Sequence, residues 1–95
     1  MAVIRRVAQA GTVESSDIMI TLSPVEAGSG IEIELESPVL RQFGRQIRKV
    51  LETALQEAGV AAAKVYANDK GALDCTIRAR LKTALNRALE EEVKA

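Results

Sequence analysis

Hydrophobic and polar residues alternate in two segments of the first third of the chain. Residues 17–23 place Ile18, Ile20 and Leu22 at every second position, and residues 31–36 alternate between aliphatic side chains and glutamates. A period of two is typical of a strand with one buried and one solvated face. Because a proline and two glycines separate the two segments, the pattern predicts two strands joined as an antiparallel hairpin.

Two later segments carry apolar residues at steps of three and four, the spacing of a helix with one buried face. The first stripe is Val39, Phe43, Ile47, Val50, Leu51, Ala54 and Leu55, and the second is Leu73, Ile77, Leu81, Ala84, Leu85 and Ala88. Ser37 as N-cap and Pro38 at the first helical position predict where the first helix begins. Gly59 is placed to end it in a left-handed conformation.

A third strand is predicted over residues 61–68, and residues 6–10 leave open a short additional strand at the N-terminus. The expected fold is therefore α+β, with antiparallel strands and two helices packed on one face, in the order β-β-α-β-α. This architecture is not a four-helix bundle. We expect residues 1–95 to form a single domain whose last residues, 90–95, fray because three glutamates oppose the negative end of the second helix.

Composition excludes several classes of function. Lys+Arg and Asp+Glu are 13 each, and a chain without net charge does not favour a nucleic-acid or membrane-surface partner. With no histidine and one cysteine, the chain cannot build a Ser-His-Asp or Cys-His catalytic set or a zinc site of the Cys/His kind. No signal-peptide pattern or bilayer-length apolar run occurs. We expect a cytoplasmic protein without enzymatic activity of its own.

Three segments, taken together, carry a specific resemblance. They are AGTVESSDIMI at residues 10–20, RQFG at residues 41–44 followed by Ile47 and Arg48, and DKGALDC at residues 69–75 continuing to Arg78, Ala79, Arg80 and Leu81. They follow one another along nearly the whole chain and resemble the acyl carrier protein, or gamma, subunit of citrate lyase. Three motifs in register are far more specific than one.

The resemblance implies a covalently attached prosthetic group, 2′-(5″-triphosphoribosyl)-3′-dephospho-CoA. The position of Ser15 in the first motif implies that the group is attached there through a phosphodiester, with the adjacent Ser16 as the less favoured alternative. It also implies three partners: a transferase that adds the group, an alpha subunit that exchanges acetyl for citryl on its thiol, and a beta subunit that cleaves the citryl thioester to oxaloacetate. A chain without histidine cannot easily activate its own serine, which agrees with a separate transferase.

Other residues near these motifs are interpreted structurally. Glu14 and Asp17 are expected to be solvated carboxylates beside the loop that carries Ser15, and Cys75 a small buried hydrophobe. Asp69, Lys70, Gly71 and Asp74 could dock partner subunits, although turn chemistry explains them adequately. The cationic residues of the two helices are expected to be solvated; they are Arg41, Arg45 and Arg48 on the first, and Arg78 and Lys82 on the second.

Two other functions remain open at this stage. One is an unmodified α+β interaction domain that dimerises, and the other is the carrier subunit of a malonate decarboxylase, which uses the same prosthetic group. The DKGALDC segment favours the citrate enzyme over the second of these.

Overall fold

The computed structural model describes residues 3–89 as four strands and two helices. The strands are β1 (Ala8–Gly11), β2 (Ile18–Ser23), β3 (Ile31–Glu36) and β4 (Ala63–Asp69), and the helices are α1 (Leu40–Glu57) and α2 (Asp74–Leu89). The order confirms the predicted α+β class, and the additional N-terminal strand is present as β1. The prediction that residues 90–95 fray lies outside the described residues.

The predicted antiparallel hairpin of β2 and β3 is wrong. The strand order in the sheet is β1-β2-β4-β3, so β4 lies between the two strands that are neighbours in sequence. β1 and β4 pair antiparallel with β2, whereas β3 pairs parallel with β4 across the α1 crossover. Alternation identifies a strand and its buried face, but it does not identify which strand lies beside it.

The residues on the inner face of β4 are completely buried, which agrees with its central position in the sheet. Ala63, Val65, Ala67 and Asp69 alternate along this strand and are fully buried. They face the helices together with the aliphatic residues of β2, while the glutamates of β3 are exposed on the opposite face, as predicted. A sheet with helices on one face buries one set of alternating residues and leaves the other in contact with water.

The helical stripes are confirmed over most of their length and wrong at their N-terminal ends. The buried residues that α1 and α2 share with the predicted stripes are Ile47, Val50, Leu51 and Leu55, and Ile77, Leu81, Ala84, Leu85 and Ala88. Phe43 is 52% exposed, and Leu73 is 71% exposed and precedes α2.

The limits of α1 agree with the predicted signals to within a few residues. The predicted N-cap is wrong, since Val39 rather than Ser37 is the N-cap and regular helix begins at Leu40, after Pro38. The Ser37 hydroxyl instead accepts a hydrogen bond from the Val39 N–H at 3.1 Å in the turn that precedes the helix. Gly59 has a φ of +75° and donates its N–H to the Gln56 carbonyl at 3.0 Å. Glycine therefore ends the helix in the left-handed conformation that was expected.

Three connections meet at one end of the sheet. The pairing of Ile18 with Asp69 and of Glu36 with Asn68 places the start of β2 beside the ends of β3 and β4. The β1–β2 loop (residues 12–17), the β3–α1 connection (37–39) and the β4–α2 connection (70–73) therefore lie together, next to the first turns of both helices. We call this end of the molecule the serine pole. Within residues 3–89, neither α1 nor α2 combines the length and the hydrophobicity that a membrane-spanning helix requires.

Candidate functional site

Ser15 lies at the tip of the β1–β2 loop with its side chain exposed. The Asp17 N–H donates to the Glu14 carbonyl at 3.2 Å, which closes a turn with Ser15 and Ser16 as its central residues. Ser16 has a φ of +65°, the left-handed value that the second central residue of a type II turn requires. The turn therefore projects Ser15 into solvent, where another protein can reach its hydroxyl.

The loop is fixed to the central strand by its backbone. The Ser16 N–H donates to the Lys70 carbonyl at 2.8 Å, and the Lys70 N–H donates to the Asp17 carbonyl at 2.9 Å. These bonds continue the pairing of β2 with β4 past the regular strands as a β-bulge, in which Ser16 and Asp17 both lie opposite Lys70. As a result, the loop and the β4–α2 connection form one hydrogen-bonded unit at the serine pole.

Asp17 is buried, which corrects the expectation of a solvated carboxylate. Its exposed fraction is 9%, and Arg80 of α2 donates to it through Nε and a terminal nitrogen, at 3.0 Å each. The Thr12 hydroxyl adds a bond of 2.7 Å to Oδ2, and the Ile18 N–H adds one of 2.7 Å to Oδ1. A carboxylate taken from water requires such partners, and here they join both ends of the serine loop to α2.

These donors determine the protonation of Asp17. The hydrogen bonds from Arg80, followed by those from Thr12 and the Ile18 N–H, lower the pKa of the Asp17 carboxyl from 3.8 to about 2. Hydrogen bonds to the charged form of a carboxyl stabilise that form. Since both oxygens are already engaged, Asp17 is not available as a base for the neighbouring serine.

Asp69 is the second buried carboxylate of the pole. It is fully buried, accepts a hydrogen bond from the Ser37 hydroxyl at 2.8 Å, and accepts another from the Ala72 N–H at 2.9 Å. Gly71 has a φ of +94°, the unusual backbone angle expected for this turn. The prediction of turn chemistry is confirmed, and the same carboxylate also holds the start of α1 against the end of β4.

An apolar groove runs beside the serine loop, between the first turn of α1 and the β4–α2 connection. Its volume is about 460 Å³. The apolar side chains that line it are Val39, Phe43, Ile47, Ala72 and Leu73. On its polar side, the Gln46 amide donates to the Asp74 carboxylate at 2.8 Å. The sequence did not indicate this groove, because Phe43 and Leu73 were assigned to the core.

Cys75 is exposed, so the prediction of a buried thiol is wrong. The buried side of α2 includes Ile77 and Leu81. Residues two positions apart on a helix project about 200° apart around its axis. Cys75 therefore faces away from the core.

The helical cations are solvated, as expected, and some of them have structural contacts. Arg48 donates to the Ile33 carbonyl at 3.0 Å on the edge strand, and Arg78 lies 3.7 Å from Glu57. Arg41 and Arg45 are exposed. The cation that reaches the site is Arg80, whose role the sequence did not predict, although both it and Asp17 lie within the segments that carry the family resemblance.

The chemistry that the serine pole offers is presentation of a hydroxyl group. The chain has no histidine, and no cluster of potential metal ligands occurs within residues 3–89. Ser15 is exposed, and its loop is held by backbone bonds to β4 and by the Asp17–Arg80 ion pair. This arrangement fits a residue that is modified by another protein.

Comparisons with known proteins agree on the class of protein to which this chain belongs. Residues 5–88 match the family model described as "Malonate decarboxylase delta subunit (MdcD)", an acyl carrier family. A subunit in the crystal structure of a Pseudomonas malonate decarboxylase hetero-tetramer in complex with malonate has the same fold. Its TM-score is 0.74 and its identity 22%, over 92% of this chain and 88% of that one. The fold and the family model thus define an α+β carrier protein.

Curated relatives narrow the assignment. The chain is 57% identical to the citrate lyase acyl carrier protein of Streptococcus mutans, over 95% of its own length and 87% of the relative's. It is 55% identical to the protein of the same name from Lacticaseibacillus casei, over 94% and 86% of the respective lengths. This chain belongs to the citrate lyase acyl carrier protein family.

Proposed function

We propose that this chain is the acyl carrier, or gamma, subunit of citrate lyase, and that Ser15 is the attachment point of its prosthetic group. The observation that carries the proposal is the exposed Ser15 hydroxyl at the tip of a loop that is fixed at both ends. A modifying enzyme needs an accessible side chain, and a carrier needs a defined pivot for its arm. We further propose that residues 1–95 act as one carrier domain in the cytoplasm.

The proposed donor is 2′-(5″-triphosphoribosyl)-3′-dephospho-CoA: the Ser15 hydroxyl would displace pyrophosphate from its triphosphate, which leaves the 5″-phosphoribosyl-dephospho-CoA group joined to Ser15 by a phosphodiester. When bound, this group supplies a thiol that carries acetyl and citryl units during the cleavage of citrate to acetate and oxaloacetate. The residues of this chain position the anchor and catalyse no step. A prosthetic-group transferase would load Ser15, and the alpha and beta subunits would perform the acyl exchange and the cleavage.

The backbone favours Ser15 over Ser16 as the attachment residue. Ser16 has a left-handed φ of +65°, and its N–H is bound to the Lys70 carbonyl. Both serines are exposed, but these constraints fix the backbone of Ser16 against the β4–α2 connection. The role of Ser16 is therefore to shape the turn.

A malonate decarboxylase carrier is the second candidate, because the matching family model bears that description. The identity of 57% to a citrate lyase carrier, against 22% to the malonate decarboxylase chain, favours the citrate enzyme. An unmodified interaction domain is the third candidate function. It is disfavoured because dimerisation gives no reason to present an exposed serine on a fixed turn.

Intact mass spectrometry of the complex purified from its native source tests the proposal. The carrier should exceed its bare-chain mass by the phosphodiester-linked group, and peptide mapping should place the addition on Ser15. A Ser15→Ala variant should carry no addition, whereas the matched Ser16→Ala variant should be modified fully. An unmodified chain in an active complex would reject the carrier function, and an addition that persists in Ser15→Ala would reject the assigned residue.

A further inference from the structure

Exposed apolar side chains are concentrated at the serine pole. Val13, Leu40, Phe43 and Leu73 are all large hydrophobic residues with at least two-fifths of their surface exposed. Phe43 is the chain's single phenylalanine, and at 52% exposure it contributes little to the core. Clustered apolar exposure beside a functional residue is typical of a binding surface.

The groove lined by Phe43 and Leu73 is connected to the serine loop through the β4–α2 connection. Ser16 is hydrogen-bonded to Lys70, and the next residue along the chain, Gly71, already lines the groove. Consecutive Cα atoms are about 3.8 Å apart. A group attached to Ser15 therefore starts only a few residue spacings from the groove, within reach of its first units rather than only of its far end.

The lining of the groove has the chemistry that recognises a purine base. Phe43 offers an aromatic face, and Leu73 and Ala72 offer aliphatic surface. At the polar side, the carboxylate of Asp74 and the amide oxygen of Gln46 can accept hydrogen bonds from an exocyclic amine. Stacking of a base on an aromatic side chain contributes about 1–3 kcal/mol, and a volume of about 460 Å³ lies within the usual size of ligand sites.

The order of units in the proposed prosthetic group indicates which part of it meets the groove. One phosphoribosyl unit and the adenosine ribose separate the serine from the adenine, whereas the pantetheine and its thiol follow at the far end. We propose that the adenosine part of the arm rests in this groove, with adenine against Phe43 and its amino group at Gln46 and Asp74. This proposal depends on the function proposed above.

Tethering makes even weak binding effective. A ligand on a short flexible linker experiences a local concentration in the millimolar range, so a groove with a millimolar dissociation constant is substantially occupied. The adenosine would then serve as a second fixed point beyond Ser15. The pantetheine would swing from the groove, which narrows the volume that the thiol must search before it reaches an active site.

Proton NMR of the loaded carrier tests the proposal, with intact mass confirming the covalent addition to each sample. In the wild-type protein, the adenine H2 and H8 signals should lie upfield of their positions in free 3′-dephospho-CoA, and the Leu73 methyl signals should shift on loading. In a loaded Phe43→Leu variant, the adenine signals should return to the free positions. A loaded Val7→Ala variant changes a matched exposed hydrophobe outside the pole and should retain the wild-type shifts.

Two results would overturn this proposal and leave the carrier function intact. The first is a correctly loaded wild-type protein whose adenine signals match free 3′-dephospho-CoA. The second is loss of alpha- or beta-subunit binding by unloaded Phe43→Leu while the adenine signals of the loaded variant stay at their wild-type positions, which would assign the groove to a protein partner.

The two proposals can fail separately. If Ser15 proved unmodified in the native complex, the carrier function would fail. The groove would then be tested on the bare chain with 3′-dephospho-CoA and with pantetheine, each at roughly 10 mM, which exceeds the tethered concentration. Leu73 methyl shifts with the nucleotide alone would support an adenosine site, and no shifts would reject it.

Discussion

Asp17 and Arg80 are 63 residues apart in sequence and are joined by two hydrogen bonds of 3.0 Å each. One residue ends the loop that carries Ser15, and the other lies in the second helix. The bidentate geometry fixes the orientation of the loop as well as its position, because two parallel bonds to a planar guanidinium resist rotation. The pair therefore couples the proposed anchor to the part of the fold that packs on the core.

Replacement of Arg80 should weaken both the fold and the loop. Arg80→Ala leaves the Asp17 carboxylate buried without its cation, and we expect a loss of about 1–3 kcal/mol in the free energy of unfolding. Arg80→Lys should recover only part of it, since an ammonium cannot make the bidentate contact. Urea denaturation measures the change, and Arg78→Ala, which breaks an exposed ion pair with Glu57, is the matched control with an expected loss below about 1 kcal/mol. Equal losses for Arg80→Ala and Arg78→Ala would contradict the structural role of the pair.

The same pair predicts a dependence of stability on acid. The folded-state pKa of Asp17 is about 2, below its ordinary value of 3.8, so its contribution to stability is present above pH 4 and is lost as the pH falls towards 2. The difference in unfolding free energy between the wild-type protein and Asp17→Asn should therefore shrink across this interval. Carboxyl carbon NMR of Asp17 should show a midpoint near pH 2. A midpoint near 4 would show that the ion pair does not form in solution.

Ser16 should tolerate glycine better than any other replacement. Its φ of +65° strains a side-chain-bearing residue and suits glycine, so Ser16→Gly should preserve or raise the unfolding free energy by up to about 1 kcal/mol. A β-branched residue is disfavoured there, and Ser16→Val should lower it by about 1–2 kcal/mol. Thermal unfolding separates the two variants, and peptide mapping should find the Gly variant still modified on Ser15. Equal stability of the Gly and Val variants would show that the turn does not have this conformation.

Two glycines with similar backbone angles should respond differently to alanine. Gly11 has a φ of +96°, and a Cβ there would overlap the Ile18 carbonyl, whereas the surroundings of Gly71, with a φ of +94°, are open. Gly71→Ala should cost only the conformational penalty of about 1–2 kcal/mol. Gly11→Ala should cost at least about 2 kcal/mol more, because β1 and β2 must separate at the base of the serine loop. Denaturant titration measures both, and similar losses would mean that the close approach at Gly11 does not exist.

Features that depend on a few neighbouring residues can be predicted from the sequence, and features that depend on remote contacts cannot. β3 was located because its glutamates alternate with aliphatic residues, and α1 and α2 because their central stripes repeat at helical spacing. Gly59 and Gly71 were interpreted correctly, since a left-handed backbone angle is a property of a single residue. Phe43, Leu73 and Asp17 were assigned wrongly, because their burial depends on which remote element covers them.

Short segments of the sequence are enough to identify both helices, the strands β2, β3 and β4 with their buried faces, and the family. The position of β4 between β2 and β3, the contact of Arg80 with Asp17, and the groove bordered by Phe43 and Leu73 become visible only in the folded chain. This is because periodicity reports only which side of an element avoids water. It carries no information on which distant segment supplies the covering surface, and that choice is made by the packing of the whole chain.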